Sequence, residues 1–314
     1  MGSPASDAST VPVGPPGPHA GPRMPALSAL LVVQLLFGAM PVVGKLAIGA
    51  FGPSGVAFLR MAGGMVAFQA LRALLKLPGI PLRDQPAVAL CAVLGISANQ
   101  LLFLNGLSRT SATHAALLTT TIPVLTMVVA AALGREKLHT RRVLGILVAL
   151  GGVLVLIAGK DPTGRASVLG DLMIFGNAAV YAAYLILSRD LLARHAPLSV
   201  LAWLFTWGLL TALPFTGLPD LTGRTTEGWM AAGFIVLGPT IASYWLNLYA
   251  LRTVPASVVA LFIYLQPSIA AALAVPLLNE RPTARLGVAA ALTFAGVWLA
   301  TRPARKWGRV RGEG

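Results

Sequence analysis

Acidic side chains are scarce in this chain. Asp and Glu together number 10 in 314 residues, and none lies in the central part of an apolar stretch. Asp171 and Glu227 stand near the starts of such stretches, and Glu136 and Glu280 stand between them. Proton-driven carriers often bury a carboxylate whose proton affinity is raised by desolvation; the sequence offers none at mid-span, so coupling of that kind is disfavoured. Cysteine is nearly absent. Cys91, the single one, sits in an apolar run, which excludes a disulfide framework and a thiol cluster for metal and leaves a small buried hydrophobe. The four histidines (His19, His114, His139, His195) fall in the N-terminal segment or near helix ends, without metal-ligand partners or a nucleophile–histidine–acid set. GKDPTGR at 159–165 lacks the spacing of a phosphate-binding loop. No cofactor, no metal and no catalytic residue is expected, so the chain is not read as an enzyme.

Charge is low overall. Charged residues make up 11% and hydrophobic residues 56%, where a soluble domain carries about a quarter charged residues. This is the composition of a polytopic membrane protein. The net charge of +14 invites a nucleic-acid reading, but the cations sit in short loops and the last dozen residues, where membrane topology puts them. No nucleic-acid partner is expected.

What the chain does have is a repeat. Shifting residues 26–158 by 144 positions lays Pro53 on Pro197, Gly64 on Gly208, Pro123 on Pro267, Glu136 on Glu280 and Gly152 on Gly296, with Lys45 on Arg189. Glutamate matches carry weight where glutamate is rare. A helix needs about 20 mainly apolar residues to cross the hydrocarbon, and ten such stretches are expected near 26–47, 53–74, 86–107, 111–133, 140–158, 169–188, 197–218, 228–251, 255–278 and 283–301. Pro53, Pro86, Pro197, Pro255 and Pro282 stand at starts, where the missing N–H costs nothing; Thr140 and Thr283 read as N-caps. Each copy then holds five spans. Two copies of an odd-numbered unit enter the membrane from opposite sides, so the fold class is an all-α membrane protein, ten transmembrane helices in a 5+5 inverted repeat. In a membrane this serves alternating access to a site between the halves.

Residues 1–25, rich in Pro, Gly and Ser, are expected to be a disordered tail, with Met24 as an alternative translation start. The first repeat is 26–158, the second 169–301, and 302–314 a basic cytoplasmic tail. With both termini cytoplasmic, the inner segments carry 16 cations and the outer ones 7, so the positive-inside rule favours that orientation. Small faces at Gly145 and Ala149, and at Gly287, Ala291 and Ala295, suit close helix packing in lipid.

Several segments carry a resemblance: FGAMPVVGKLAI ending the first span, GPSGVAFLRMAGG opening the second, and the matched LLTTTIPVLTMVVAAALGREKL and LFIYLQPSIAAALAVPLLNERPT, each a mid-helix proline followed by a loop glutamate. Gly152-Val153 and Gly296-Val297 follow in the closing spans. Over residues 26–301 the chain resembles the EamA-like members of the drug/metabolite transporter superfamily. The resemblance implies a 5+5 bundle moving small metabolites, often outward, with the site lined by spans 1, 3, 4, 6, 8 and 9. Small multidrug exporters of that superfamily place a glutamate in the first span; here its middle offers only Gln34.

Polar side chains in hydrocarbon are costly and become the site candidates. Gln34 shares a stripe with Gly38 and Pro41, where the proline can open the backbone to a cavity. Asn99 and Gln100 stand in the third span; Asn177, Tyr181 and Tyr184 stripe the sixth; Ser243, Tyr244 and Trp245 cluster in the eighth; Tyr264 and Gln266 precede Pro267 in the ninth. The substrate-binding set is Gln34, Asn99, Gln100, Asn177, Tyr181, Trp245, Tyr264 and Gln266, and Trp245→Ala is expected to impair transport. Core packing with satisfied hydroxyls is the alternative for the stripes. Pro41, Pro123 and Pro267 are candidate hinges; Thr119, Thr120 and Thr121 are read as satisfying the carbonyl that Pro123 frees. Arg60 is the one strong charge deep in a span, seven residues or roughly 10 Å from Pro53. It either attracts an anionic group or reaches the interface or a neighbouring helix's carbonyls. Glu136 and Glu280 are read as loop ion-pair or cap residues.

The sequence therefore points to a secondary transporter in the cell membrane, moving a small amphipathic metabolite, an amino acid or a related compound, with export as the direction. The partners are that small molecule and the lipid bilayer, a homodimer being left open. A non-transporting sensor or assembly factor of the same fold is the alternative, and an intramembrane enzyme would need an acid/base or metal set that is not seen.

Overall fold

A computed structural model describes residues 24–135, 139–158, 166–222, 224–251, 262–281 and 283–301, and all secondary structure among them is helical. Most of the expected N-terminal tail, the C-terminal tail 302–314, Glu136, GKDPTGR, Pro255, Pro282 and the start of the ninth span lie outside the described residues.

Helix α1 (Met24–Leu74) is two limbs, 24–51 and 53–74, joined at Gly52, which has φ 69° and ψ 166°. A side chain would be strained at that φ, and Pro53 starts the second limb with its fixed φ. The next span runs through α2 (Gln85–Ala92), a π-turn (Val93–Ser97) and α3 (Ala98–Leu107). Then come α4 (Ala112–Thr119), α5 (Ile122–Ala132), α6 (Thr140–Ala158), α7 (Val168–Leu187), the short α8 (Arg189–Arg194), α9 (Pro197–Thr216) and α10 (Thr226–Ile235). A second π-turn (Val236–Ala242) leads into α11 (Ser243–Leu251). A 3-10 turn (Ile263–Leu265) precedes α12 (Gln266–Leu278), and α13 (Ala284–Thr301) closes the described chain. Among the described residues eight helical stretches are long and apolar enough to cross a membrane; the first, Pro25–Leu74, is the one folded at Gly52, and Ile263–Leu278 is a shorter apolar helix.

Glycines report how the helices pass one another. A Cβ placed on Gly145 would meet Ala300 N at 2.4 Å, one on Gly296 would meet Ala149 N at 2.2 Å, and Gly152 faces Ala289 and Thr293. Numbers rise along α6 as they fall along α13, so the two run antiparallel with backbones nearly touching. The second small face differs from the expected one. Gly287, Ala291 and Ala295 are exposed, and Ala289, Thr293, Gly296 and Ala300 are buried instead. Both stripes consist of small residues at helical spacing, so composition alone could not choose between them.

The same reasoning orders the remaining contacts. Gly64 lies under Phe205, and Gln69 Nε2 donates to Thr206 Oγ1 at 2.9 Å, pairing the second limb of α1 with α9. Gly228 faces Ala50, Gly238 faces Leu36, and Ala250 clusters with Ala26 and Leu30, so α10 and α11 run antiparallel to the first limb of α1. Gly106 faces Gly170, Asn177 Nδ2 donates to Asn99 O at 2.8 Å, and Gly95 faces Tyr184, so α7 runs antiparallel to α2 and α3. The last two packings are exchanged by the 144-residue shift.

Thr283 caps α13 as expected, its Oγ1 accepting from Leu286 N at 3.1 Å. Thr140 does not take that place: Val143 N donates to His139 O, so the helix is entered one residue earlier. If the α6–α13 contact holds the fold, Gly296→Leu should abolish folded protein, since overpacking against backbone has no side chain to yield. Gly287→Leu, where nothing lies within 4 Å, should be tolerated. Thermal unfolding of the detergent-purified variants compares the two.

Candidate functional site

A cavity of about 280 Å³ lies where the first limb of α1 meets α3, α4, α7, α11 and α12. Gln34 and Pro41 reach it from α1, Asn99 from α3, Asn177 and Tyr181 from α7, Gln266 from α12, and Arg60 from the second limb of α1. Apolar walls come from Val33, Phe37, Met40, Phe103, Ala116, Ile122, Leu185 and Ile263, with Thr119 and Tyr244 completing the lining. Five pairs of lining residues stand 144 positions apart: Val33 and Asn177, Phe37 and Tyr181, Pro41 and Leu185, Thr119 and Ile263, Ile122 and Gln266. The cavity is thus lined by equivalent positions of both copies.

Its polar groups are held across helices. Gln266 Nε2 donates to Gln34 Oε1 at 2.7 Å, tying α12 to α1. Asn177 is fixed by its bond to Asn99 O, which leaves the Asn99 side chain facing the cavity. Arg60 is only 7% exposed. Its Nε donates to Thr240 Oγ1 at 3.1 Å and its Nη1 approaches Met40 Sδ at 3.9 Å. Among the described residues no backbone carbonyl accepts from it. Thr240 Oγ1 in turn donates to Ile235 O at 3.0 Å, in the π-turn.

Other sequence candidates lie elsewhere. Trp245 is 45% exposed and does not line the cavity; its neighbour Tyr244 does. Successive helical residues point about 100° apart, so the two cannot share a face. Gln100 is buried away from the cavity, and its Oε1 has no hydrogen-bond partner. Tyr264 stacks edge-on against Phe294 at 5.8 Å, within a cluster of Val124, Ile146 and Val297. Pro123 and Pro267 occupy first turns of α5 and α12, after the chain has tightened at Thr120-Thr121 and at Ile263–Leu265. The hydroxyls of Thr119, Thr120 and Thr121 bond the carbonyls of Ala116, Leu117 and Leu118 at 2.8, 2.7 and 2.6 Å, yet Thr119 also lines the cavity.

Two of the histidines meet carboxylates, contacts the sequence reading did not anticipate. His114 Nδ1 lies 3.1 Å from Asp171 Oδ2, and the Thr110 hydroxyl donates to the same carboxylate. His195 Nε2 and Arg194 Nη1 lie 2.9 and 2.7 Å from Asp84. The partners are 57 and 111 residues apart in sequence, so no local spacing announced them. Glu280 is buried and accepts from Ala112 N at 2.7 Å, Thr113 N at 3.1 Å and Thr113 Oγ1 at 2.9 Å. It caps α4 from the other repeat, where a carboxylate also complements the helix dipole. Two second-repeat carboxylates therefore grip one first-repeat helix start, which lies one turn from the cavity-lining Ala116. A second hollow of about 420 Å³ beside Gly49 and Thr225 holds Arg224 and Glu227 and lacks the repeat relationship.

Comparisons with known proteins agree with this architecture. The sequence profile of the EamA-like transporter family matches residues 24–158 and again 168–302. A protein of Streptantibioticus cattleyicolor named "Probable terminal-alkyne amino-acid exporter" is 28% identical over 90% of this chain and 94% of its own. The Bacillus subtilis "Uncharacterized transporter YyaM" is 29% identical over 76% of this chain and 81% of its own. A solved crystal structure shares the fold, with TM-score 0.60 at 22% identity over 88% of this chain and 97% of that one. With both copies matched by one profile, and a cavity lined in pairs between them, the chain belongs to the EamA-like transporter family.

Proposed function

We propose that this protein is a secondary transporter of the cell membrane that exports a small amphipathic metabolite, an amino acid or a related compound, by alternating access. The observation that carries the reading is the set of lining pairs at constant offset. A site on the axis between two inverted copies can be presented to either side by rocking one copy against the other. The antiparallel contact of α6 with α13 and the pairing of the second limb of α1 with α9 support ten spans arranged 5+5, with repeats at 26–158 and 169–301; the excess of cations in the inner segments supports both termini cytoplasmic. The volume, near the small end of the ~300–1,000 Å³ of ligand pockets, suits a metabolite rather than a bulky drug. Mixed amide, hydroxyl and aromatic walls suit an amphiphile. Among the described residues no carboxylate, imidazole or thiol lines the cavity, which favours a carrier over acid/base chemistry. The Streptantibioticus relative's name carries the words amino-acid exporter, and this reading takes its direction from there.

In the cycle, the grip of Glu280 and Asp171 on the start of α4 is the outer gate. Opening that side breaks three hydrogen bonds to Glu280 and frees α4, which carries Ala116 and Thr119 of the site.

Metabolite profiling of cells with and without the protein should identify a compound retained inside when it is absent, and proteoliposomes should then move it. No change in any profile, and no flux of the candidates, would sink the reading. In that assay Asn177→Ala and Tyr181→Ala should lower flux about 3- to 10-fold, the loss of one or two hydrogen bonds, at unchanged protein level. Trp245→Ala, outside the lining, should retain it. Glu280→Gln removes the charged cap, so a cysteine introduced at Thr119 in a Cys91→Ala background should label from the outer side roughly tenfold faster, a shift of about 1–3 kcal/mol.

A further inference from the structure

Arg60 is a buried cation whose charge no described residue balances. Of the described acids, Asp84 pairs with Arg194 and His195, Asp171 with His114, Asp190 with Arg135, Asp220 with Arg224, Glu280 caps α4, and Glu227 lines the second hollow beside Arg224; none forms an ion pair with Arg60. A guanidinium has five N–H donors in a rigid fork. Here Nε is held by a neutral hydroxyl, and the Nη1 contact is a thioether, a weak acceptor. The side chain is 7% exposed and borders the cavity. A charge kept in a low-dielectric interior is stable only with a counter-charge or a full set of hydrogen bonds, and the described residues supply neither.

Resting on the transport reading of the same cavity, we infer that the substrate is an organic monocarboxylate whose carboxylate docks end-on against the Nη1/Nη2 edge of Arg60 and whose apolar body lies along Phe37, Phe103, Tyr181 and Tyr244. The Nε–Thr240 bond fixes the plane of the fork and leaves its other edge for two parallel N–H···O bonds, the geometry in which arginine recognises carboxylate. Charge selects the class. Among the described lining residues Arg60 is the sole Lys, Arg or His, so it neutralises one negative charge. A phosphate monoester, at about −1.5 to −2, would stay partly uncompensated in a site out of water. The same lining has no acid for a substrate ammonium. An amino acid therefore places that group against amide oxygens, such as that of Asn99, and aromatic faces, whereas a plain carboxylic acid needs nothing there. Binding then also offsets the desolvation of Arg60, which favours the loaded site over the empty one.

The test uses matched probes on the full-length purified protein: 3-phenylpropionate and its neutral amide 3-phenylpropionamide, L-phenylalanine, and phenyl phosphate, with binding read by thermal shift and titration. The wild type should bind 3-phenylpropionate at least tenfold more tightly than the amide and more tightly than phenyl phosphate. Arg60→Gln should erase the preference for acid over amide, and Arg60→Lys should restore part of it. Equal binding of acid and amide by the wild type overturns the inference and requires no variant to fold. So does a preference that survives in Arg60→Gln, or a failure of every carboxylate probe to bind. Flux separates the two readings. Carboxylate preference without movement of 3-phenylpropionate across proteoliposomes leaves this inference standing and defeats the transport reading; flux of other compounds with no acid-over-amide preference does the reverse.

Discussion

Inside hydrocarbon a backbone amide or carbonyl has no water to turn to, and the rest of this structure follows from that constraint. Regular helix satisfies it automatically, so each departure from regular helix must be rescued locally. Four departures occur near the cavity: π-turns at Val93–Ser97 and Val236–Ala242, the break after Thr119, and the 3-10 turn at Ile263–Leu265. Three carry a hydroxyl returned to a carbonyl: Ser97 to Ala92 O at 3.5 Å, Thr240 to Ile235 O, and Thr119 to Thr121 to the preceding turn. Irregular backbone is tolerated in a membrane where it borders a cavity, and π-turns gather at functional sites for the same reason.

The departures also come in pairs. The two π-turns are related by the repeat shift, as are the break after Thr119 and the 3-10 turn before Gln266. Duplication therefore preserved a backbone, including its irregularities, while side chains diverged on it. Val33 faces Asn177 across the axis, and Ile122 faces Gln266. An amphipathic ligand needs one polar and one apolar wall, and a perfectly symmetric pocket would give it two of each.

Much of this could be read from the chain, for identifiable reasons. Gln34, Asn177 and Gln266 stood out because an amide in a 20-residue apolar run has to bury its polar atoms somewhere. The repeat stood out because glutamate and proline are rare enough for coincidence at one offset to mean something. Rotational phase was beyond reach: Tyr244 and Trp245 are equally polar-aromatic, and so are the stripes at Gly287 and Ala289 equally small. The π-turns were hidden too, since VLGIS and VLGPTIA read as ordinary apolar helix. Long-range pairs such as His114 with Asp171 belong to the tertiary structure and leave no trace in spacing. Glu280 was legible as a capping residue, though the helix it caps lies 168 positions away.

Thr240 connects two roles that are usually separate. One hydroxyl oxygen steadies the carbonyl released by the second π-turn and at the same time orients the guanidinium of Arg60. The charge in the pocket is thereby anchored to the one stretch of its neighbour helix that is already wound differently from the rest. A change of winding there, toward ordinary α-helix, would withdraw the Ile235 carbonyl and re-aim the cation in a single movement. The winding of the helix and the aim of the cation thus share one oxygen atom.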